Sequence, residues 1–227
     1  MLSKTDPKKV AQFIDHTLLR PEASRSQIEQ ICAEAVEYQF CTVCVNPTYA
    51  ELCSRILKGS GVLVCTVNGF PLGAAVSSVK ALEADQAIRD GAAEVDMVIN
   101  VGALKSGDLA LVESDIRSVV DVCHPEGVRL KVIIEAALLS DAEKVLACQL
   151  AVSAGADYVK TSTGFGPGGA TVADVMLMRQ TVGPHIGVKA AGGIRTLRDA
   201  LTMLEAGANR IGASSSVQIA REAQRSA

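Results

Sequence analysis

Ala156-Asp157-Tyr158-Val159-Lys160-Thr161-Ser162-Thr163-Gly164-Phe165-Gly166 is the stretch on which the fold turns. Gly155 ends an amphipathic helical pattern just before it, and Tyr158-Val159 has the aromatic and β-branched character of a short buried strand. A lysine closes that strand, ahead of a loop of hydroxyls and glycines. Lysine is almost never fully buried without a partner, so this one has two readings. In the first, its stem covers apolar surface and its head reaches water. In the second, it is a desolvated amine that attacks a carbonyl as a Schiff-base nucleophile. A near copy one unit later, Ile186-Gly187-Val188-Lys189-Ala190-Ala191-Gly192-Gly193, favours the second.

Outward from these two units, helical and strand patterns alternate along the chain. Phe13 to Thr17, Cys41 to Val45, Val62 to Val67, Val95 to Ile99 and Leu130 to Ile134 read as strands one to five. Lys160 and Lys189 sit on strands six and seven, and Arg210 to Gly212 is the eighth. Ser24 with Gln27, Thr48 with Glu51, Ser140 with Glu143, Thr171 with Asp174 and Thr196 with Asp199 mark helix starts. Gly91, Gly155 and Gly207 each precede a strand, as a left-handed helix-ending glycine does.

Eight strand–helix units of about 28 residues each match an α/β fold of the (β/α)8 TIM-barrel type. With no Pro/Gly-rich linker, the expectation is a single domain over 1–227, opened by a short helix from Pro7 to Gln12. A doubly wound open sheet is the alternative. It usually carries a glycine-rich first turn, whereas the first strand here ends in Asp15-His16-Thr17.

The apolar fraction is 48% with only 3% aromatic, so the core is aliphatic, as in parallel sheets buried on both faces. Net charge is −3 with both signs interspersed, which gives no basic field for nucleic acid or a membrane surface. No run approaches the ~18 apolar residues of a membrane span, and the N-terminal residues lack an apolar signal core. A cytoplasmic protein is expected. The seven cysteines are odd in number and scattered, which suits a reducing compartment. Cys41-x-x-Cys44 lies in a strand, where residues three apart face opposite ways, and no second pair completes a metal site.

In a barrel, chemistry gathers at the C-terminal ends of the strands. Asp15, Thr17, Cys44, Asn68, Asp96, Asn100, Glu135, Lys160, Thr163 and Lys189 fall there. A layer of buried ion pairs at the barrel mouth is one reading, but such pairs cost desolvation and seldom add stability. The other reading has a mechanism. A lysine beside a second cation resists protonation, so its free amine forms a carbinolamine and then an iminium. The iminium is an electron sink for C–C cleavage, and a carboxylate such as Asp96 moves the hydroxyl proton. Loops after strands six, seven and eight, Thr163-Gly164, Gly192-Gly193 and Gly212-Ala213-Ser214-Ser215, bring backbone N–H groups and a helix start to one place. That is a recurrent phosphate site in this fold.

Phe13-Ile-Asp-His-Thr-Leu-Leu19, Cys44-Val-Asn-Pro47, Gly69-Phe-Pro-Leu-Gly73, Glu94-Val-Asp-Met-Val-Ile-Asn100, Val159-Lys-Thr-Ser-Thr-Gly-Phe165 and Val188-Lys-Ala-Ala-Gly-Gly-Ile-Arg195 together resemble the deoxyribose-phosphate aldolase family. The resemblance runs from the first strand to the eighth. It implies a class I aldolase that needs no metal or other cofactor and cleaves 2-deoxy-D-ribose 5-phosphate to acetaldehyde and glyceraldehyde 3-phosphate. By motif, Lys160 resembles the Schiff-base lysine, Lys189 its charge-tuning neighbour and Asp96 the proton-relay acid. Asp15 and Thr17 match substrate contacts, with Cys44 and Thr163 beside them. Gly164, Gly192, Gly193, Gly212, Ser214 and Ser215 match phosphate contacts. The resemblance also implies a homodimer.

The sequence departs from the family pattern at Gln39, where a helix-ending glycine is expected, and at Asn68, where an apolar residue is usual. Phe165 replaces a lysine that some members place beside the phosphate, and the sequence ends at Ala227 without the C-terminal tyrosine some use as a proton donor. Two rival readings remain. One is another sugar-phosphate barrel enzyme, an epimerase or metal-dependent aldolase, and the other a non-catalytic sugar-phosphate-binding barrel.

Overall fold

The computed structural model describes residues 7–226. Its eight strands are β1 (Ile14–Leu18), β2 (Thr42–Val45), β3 (Leu63–Asn68), β4 (Glu94–Val98), β5 (Arg129–Ile133), β6 (Tyr158–Lys160), β7 (Gly187–Ala191) and β8 (Arg210–Ala213). All pair in parallel in sequence order, and β8 returns to β1 to close the barrel. The outer helices are α1 (Arg25–Tyr38), α2 (Ala50–Leu57), α3 (Ser77–Arg89), α4 (Val101–Lys105), α5 (Leu109–Cys123), α6 (Asp141–Ser153), α7 (Val172–Val182), α8 (Leu197–Glu205) and α9 (Ser216–Arg225). Among the described residues, no helix is long and apolar enough to cross a membrane.

Local chemistry sets most element ends. Ser24, Ser140 and Thr196 close full capping boxes with Gln27, Glu143 and Asp199, while Thr171 accepts from the Asp174 amide. Gly91, Gly155 and Gly207 are left-handed at φ 95°, 95° and 114°. Gln39 holds the same conformation at φ 55°, at a cost of roughly 1–2 kcal/mol for a residue with a Cβ. Its side chain offsets part of that cost by donating from Nε2 to the Val36 carbonyl at 2.7 Å. The helix therefore ends where a glycine would have ended it.

Two expectations change. Thr48 and Glu51 do not start α2: Pro47, with its fixed φ, opens a 3-10 turn over Pro47–Tyr49, and α2 follows from Ala50 without a side-chain cap. The opening segment Pro7–Phe13 is likewise a 3-10 helix and runs directly into β1.

Alternation along the strands separates two interiors. On β4, Val95 and Met97 join the aliphatic layer beneath the helices, while Glu94 and Asp96 point into the barrel. Leu130 and Val132 flank Lys131 on β5 in the same way, and Val188 and Ala190 flank Lys189 on β7. The aliphatic core thus lies between sheet and helices, with α5 contributing Val112, Ile116, Val119 and Val120 at helical spacing. Where barrels of this type usually stack branched side chains, the middle of this one is ionic.

Candidate active site

Seven charged side chains converge inside the barrel: Asp15 from β1, Glu94 and Asp96 from β4, Lys131 from β5, Lys160 from β6, Lys189 from β7 and Arg210 from β8. Asp96 is the hub. Its Oδ2 accepts from Lys160 Nζ at 2.8 Å and Lys189 Nζ at 2.7 Å, and its Oδ1 accepts from Lys131 Nζ at 2.6 Å. Lys189 also pairs with Asp15, which Arg210 grips at 2.7 Å. Arg210 and Lys131 both reach Glu94, at 3.0 and 2.7 Å. The three acids meet these four buried bases, and half-exposed Arg129 reaches Glu94 as a fifth at 3.2 Å.

Burial opposes charge on Asp96, yet the fields of Lys131, Lys160 and Lys189 more than reverse it and hold the acid well below the usual carboxylate range. Asp15 behaves alike, with burial outweighed by Lys189, Lys131 and Arg210. Burial works against the Lys189 ammonium, but Asp15 and Asp96 keep it above the ordinary lysine value. Lys131 and Arg210 are likewise pushed up by their acids despite burial. Lys131, Lys189 and Arg210 are therefore fixed cations.

Above this ring opens a cleft of about 620 Å³, lined by Lys160 together with Thr17, Thr163, Gly164, Phe165, Gly192, Gly193, Arg195, Gly212 and Ser214. Lys160 is the one ring member on the cleft wall, with its side chain 3% exposed. Asp96, Lys189, Asp15 and Cys44 are buried beneath. Asp15, expected to meet substrate, lies buried with its carboxylate paired to Lys189 and Arg210. Thr163 is fixed by Glu135, whose carboxylate accepts from its hydroxyl and, at 3.2 Å, from its amide. Thr17 donates its hydroxyl to the Asp15 carbonyl at 2.8 Å.

The glycine loops close one side of the cleft. Gly192 and Gly193 have φ of 87° and 80°, and a Cβ on Gly169 would meet the Gly192 carbonyl oxygen at 2.4 Å. Glycine at these positions lets the loops after β6 and β7 pack backbone to backbone. Ser215 stands at the start of α9, next to cleft-lining Ser214. Phe165 supplies the facing apolar edge and packs edge-to-face on Phe70 at 5.4 Å.

Two polar strand-end residues serve the scaffold. Asn68 donates to the Lys80 carbonyl at 2.7 Å, and Asn100 caps α4 by accepting from the Ala103 amide at 3.0 Å. Sequence reasoning passed over Lys131, Glu94, Arg210 and Cys65. A lysine between Leu130 and Val132 carried the same signal as an aspartate between Val95 and Met97.

Two residue sets bring metal-ligand atoms within 4.8 Å of one another: Cys44, Cys65 and Asp96, and Asp15, Cys65 and Glu94. Lys131 Nζ already stands against both, 2.6 Å from Asp96, 2.7 Å from Glu94 and 3.2 Å from the Cys65 sulfur. An ammonium thus occupies the position a cation would take.

Comparison with known proteins agrees with this geometry. Residues 9–220 match the model of the DeoC/LacD family aldolases. The deoxyribose-phosphate aldolase of Streptococcus pneumoniae serotype 19F (strain G54) is 64% identical over 211 residues, covering 93% of this chain and 95% of that protein. The enzyme of the same name from Lysinibacillus sphaericus (strain C3-41) is 61% identical over 209 residues, covering 92% and 93%. Among solved structures, the tetrameric deoxyribose phosphate aldolase of Aeropyrum pernix superposes with a TM-score of 0.91 at 35% identity, covering 97% of this chain and 93% of that one. With its barrel, its lysine-bearing strand ends and these relatives, the chain belongs to the DeoC/LacD family of aldolases.

Proposed function

We propose that this chain cleaves 2-deoxy-D-ribose 5-phosphate reversibly to D-glyceraldehyde 3-phosphate and acetaldehyde through a Schiff base on Lys160. One observation carries the assignment: Lys160 and Lys189 share a single oxygen of Asp96, and of the two only Lys160 reaches the cleft. Lys131 and Lys189, both held as cations, crowd positive charge onto the same Asp96 that Lys160 touches. The Lys160 amine attacks the aldehyde carbon, and loss of water leaves an iminium. The bond between the second and third sugar carbons then breaks, its electron pair passing into the iminium to give an enamine. The proton of the third-carbon hydroxyl leaves along the Asp96–Lys189 couple. Protonation of the enamine and hydrolysis release acetaldehyde and restore Lys160.

Gly164, Gly192, Gly193, Gly212, Ser214 and Ser215 hold the phosphate, with Thr17 and Thr163 along the sugar. Asp15 and Cys44 support the site from below, Asp15 by holding Lys189. The chain works as one barrel domain in the cytoplasm and pairs as a homodimer. Leu72, Val76, Val79 and Leu82, exposed together on and before α3, form the apolar face that supports pairing.

The test is chemical. Borohydride reduction in the presence of acetaldehyde should add mass to the peptide bearing Lys160, and EDTA should leave turnover unchanged. Label on another lysine, or loss of activity to the chelator, would overturn the assignment and favour a metal-dependent enzyme.

A further inference from the structure

Cys44 and Cys65 are direct partners in the register of β2 and β3. Neighbouring strands run about 4.8 Å apart, inside the range of Cα separations that a disulfide spans. Both side chains point into the barrel, and their sulfurs lie with an Asp96 oxygen in a set no wider than 4.8 Å. Cys65 donates from its sulfur to Asp96 Oδ1 at 3.2 Å and accepts from Lys131 Nζ at 3.2 Å. The catalytic acid therefore holds a thiol proton that the mechanism above never uses.

We propose that Cys44 and Cys65 are a peroxide-responsive dithiol, whose closure to a disulfide across β2 and β3 reversibly silences the active site. The two thiols are unlike, which sets the order of events. Contact with Cys65 lowers the Cys44 thiol, aided by Lys189 and Lys160 and opposed by burial and Asp96. Burial, Cys44 and Asp96 push Cys65 well above the ordinary thiol value. Cys44 is thus the more readily deprotonated of the two, and the thiolate is the reactive form.

Hydrogen peroxide is no larger than acetaldehyde, and the cleft ends on Lys160, whose partner Asp96 is also the neighbour of both sulfurs. The Cys44 thiolate attacks one peroxide oxygen, the O–O bond breaks, and the released hydroxide takes a proton to become water. Cys65 then attacks the Cys44 sulfenic acid, losing its proton and expelling a second water as the S–S bond forms. Two thiols lose two electrons, one peroxide gains them, and two waters leave. The disulfide can no longer donate to Asp96 Oδ1. The hub of the charge ring loses a partner, and the sulfur pair tightens against the space beside Lys160.

A second close pair, Cys32 and Cys53, lies in the aliphatic layer on α1 and α2 and serves as an internal comparison. The full-length protein is treated with hydrogen peroxide, residual thiols are alkylated, and peptide maps are read alongside turnover. The expected result is a cross-linked peptide pair containing Cys44 and Cys65, formed in step with loss of activity. Both should reverse with dithiothreitol. In Cys65→Ser, whose hydroxyl can still donate to Asp96, the cross-link is absent and dithiothreitol no longer restores the activity lost to excess peroxide. Loss of turnover rests on the aldolase reading, whereas the cross-link does not, so untreated turnover and the peptide map fail separately. Cross-linking confined to Cys32 and Cys53, inactivation with Cys44 and Cys65 still alkylatable, or full activity in the cross-linked protein would each overturn the proposal.

Discussion

Replacing Lys189 by methionine removes a charge and keeps most of the side-chain volume. In the structure Lys160 and Lys189 touch the same Asp96 oxygen at 2.8 and 2.7 Å, so their nitrogens lie within about 5.5 Å of each other. At an effective dielectric near 20, two like unit charges at that separation repel by about 3 kcal/mol. A protein with that repulsion removed should need about two pH units more alkaline solution to present the same fraction of free amine. Asp15 and Asp96, each short of one cation in the variant, push in the same direction. The assay is borohydride trapping with acetaldehyde across pH, because it reports imine formation apart from later proton transfers. The trapping midpoint of Lys189→Met should lie about two units above that of the parent, with turnover at neutral pH falling and recovering only partly in alkali. Incomplete recovery is expected if Lys189 also carries the hydroxyl proton with Asp96, as proposed above. Equal midpoints in parent and variant would refute the electrostatic role.

Gly193→Val should raise KM for the phosphorylated sugar by roughly 10–100-fold, the worth of a hydrogen bond to a charged group, and do much less to unphosphorylated deoxyribose. Its Cβ has open space, but φ is 80° and the loop must shift. Equal losses on both sugars would mean that the loop serves the fold. Lys80→Met strands Asp115, paired with Lys80 at 2.5 Å between α3 and α5, and should lower unfolding free energy by about 3–5 kcal/mol in denaturant titration while Lys160 trapping persists. Burial pushes His16 below its ordinary value over the opposing pull of Glu34, so the unfolded chain takes up its proton first. Stability present above about pH 6.5 should therefore decline as pH falls below it, and His16→Phe should flatten that slope before the carboxylates begin to titrate. An unchanged slope would refute the assignment to His16.

The order of strands and the ends of most helices were legible because they depend on neighbours in sequence: capping pairs, helix-ending glycines and two-residue alternation. Lys160, Lys189 and Asp96 were legible too, since each interrupts an aliphatic strand and the two lysines repeat one pattern. Lys131 and Arg210 were missed although they stand level with Asp96 and Lys189 in the strand register, and Glu94 lies two residues before Asp96 on the same face. A polar residue in a buried strand says that a partner exists without saying which, and the partners here lie up to 195 positions away. The opposite error fell on Asn68 and Asn100, which satisfy nearby backbone groups. Pro47 hid the start of α2, because a proline before a capping signature opens a 3-10 turn as readily as an α-helix.

The ionic ring divides unevenly along the chain. β1 to β4 bring Asp15, Glu94 and Asp96 to it, all acids, whereas β5 to β8 bring Lys131, Lys160, Lys189 and Arg210, all bases. Neither half-barrel can bury its own lumen, for each would enclose like charges with nothing to neutralise them. The two halves are electrostatic complements, and the Asp15–Arg210 pair joins the first strand to the last across the closing seam. Assembly is thereby biased against stable half-folded forms: strands one to four gain a dry interior only when strands five to eight arrive. The charge set around Lys160 also ties the first half of the barrel to the second.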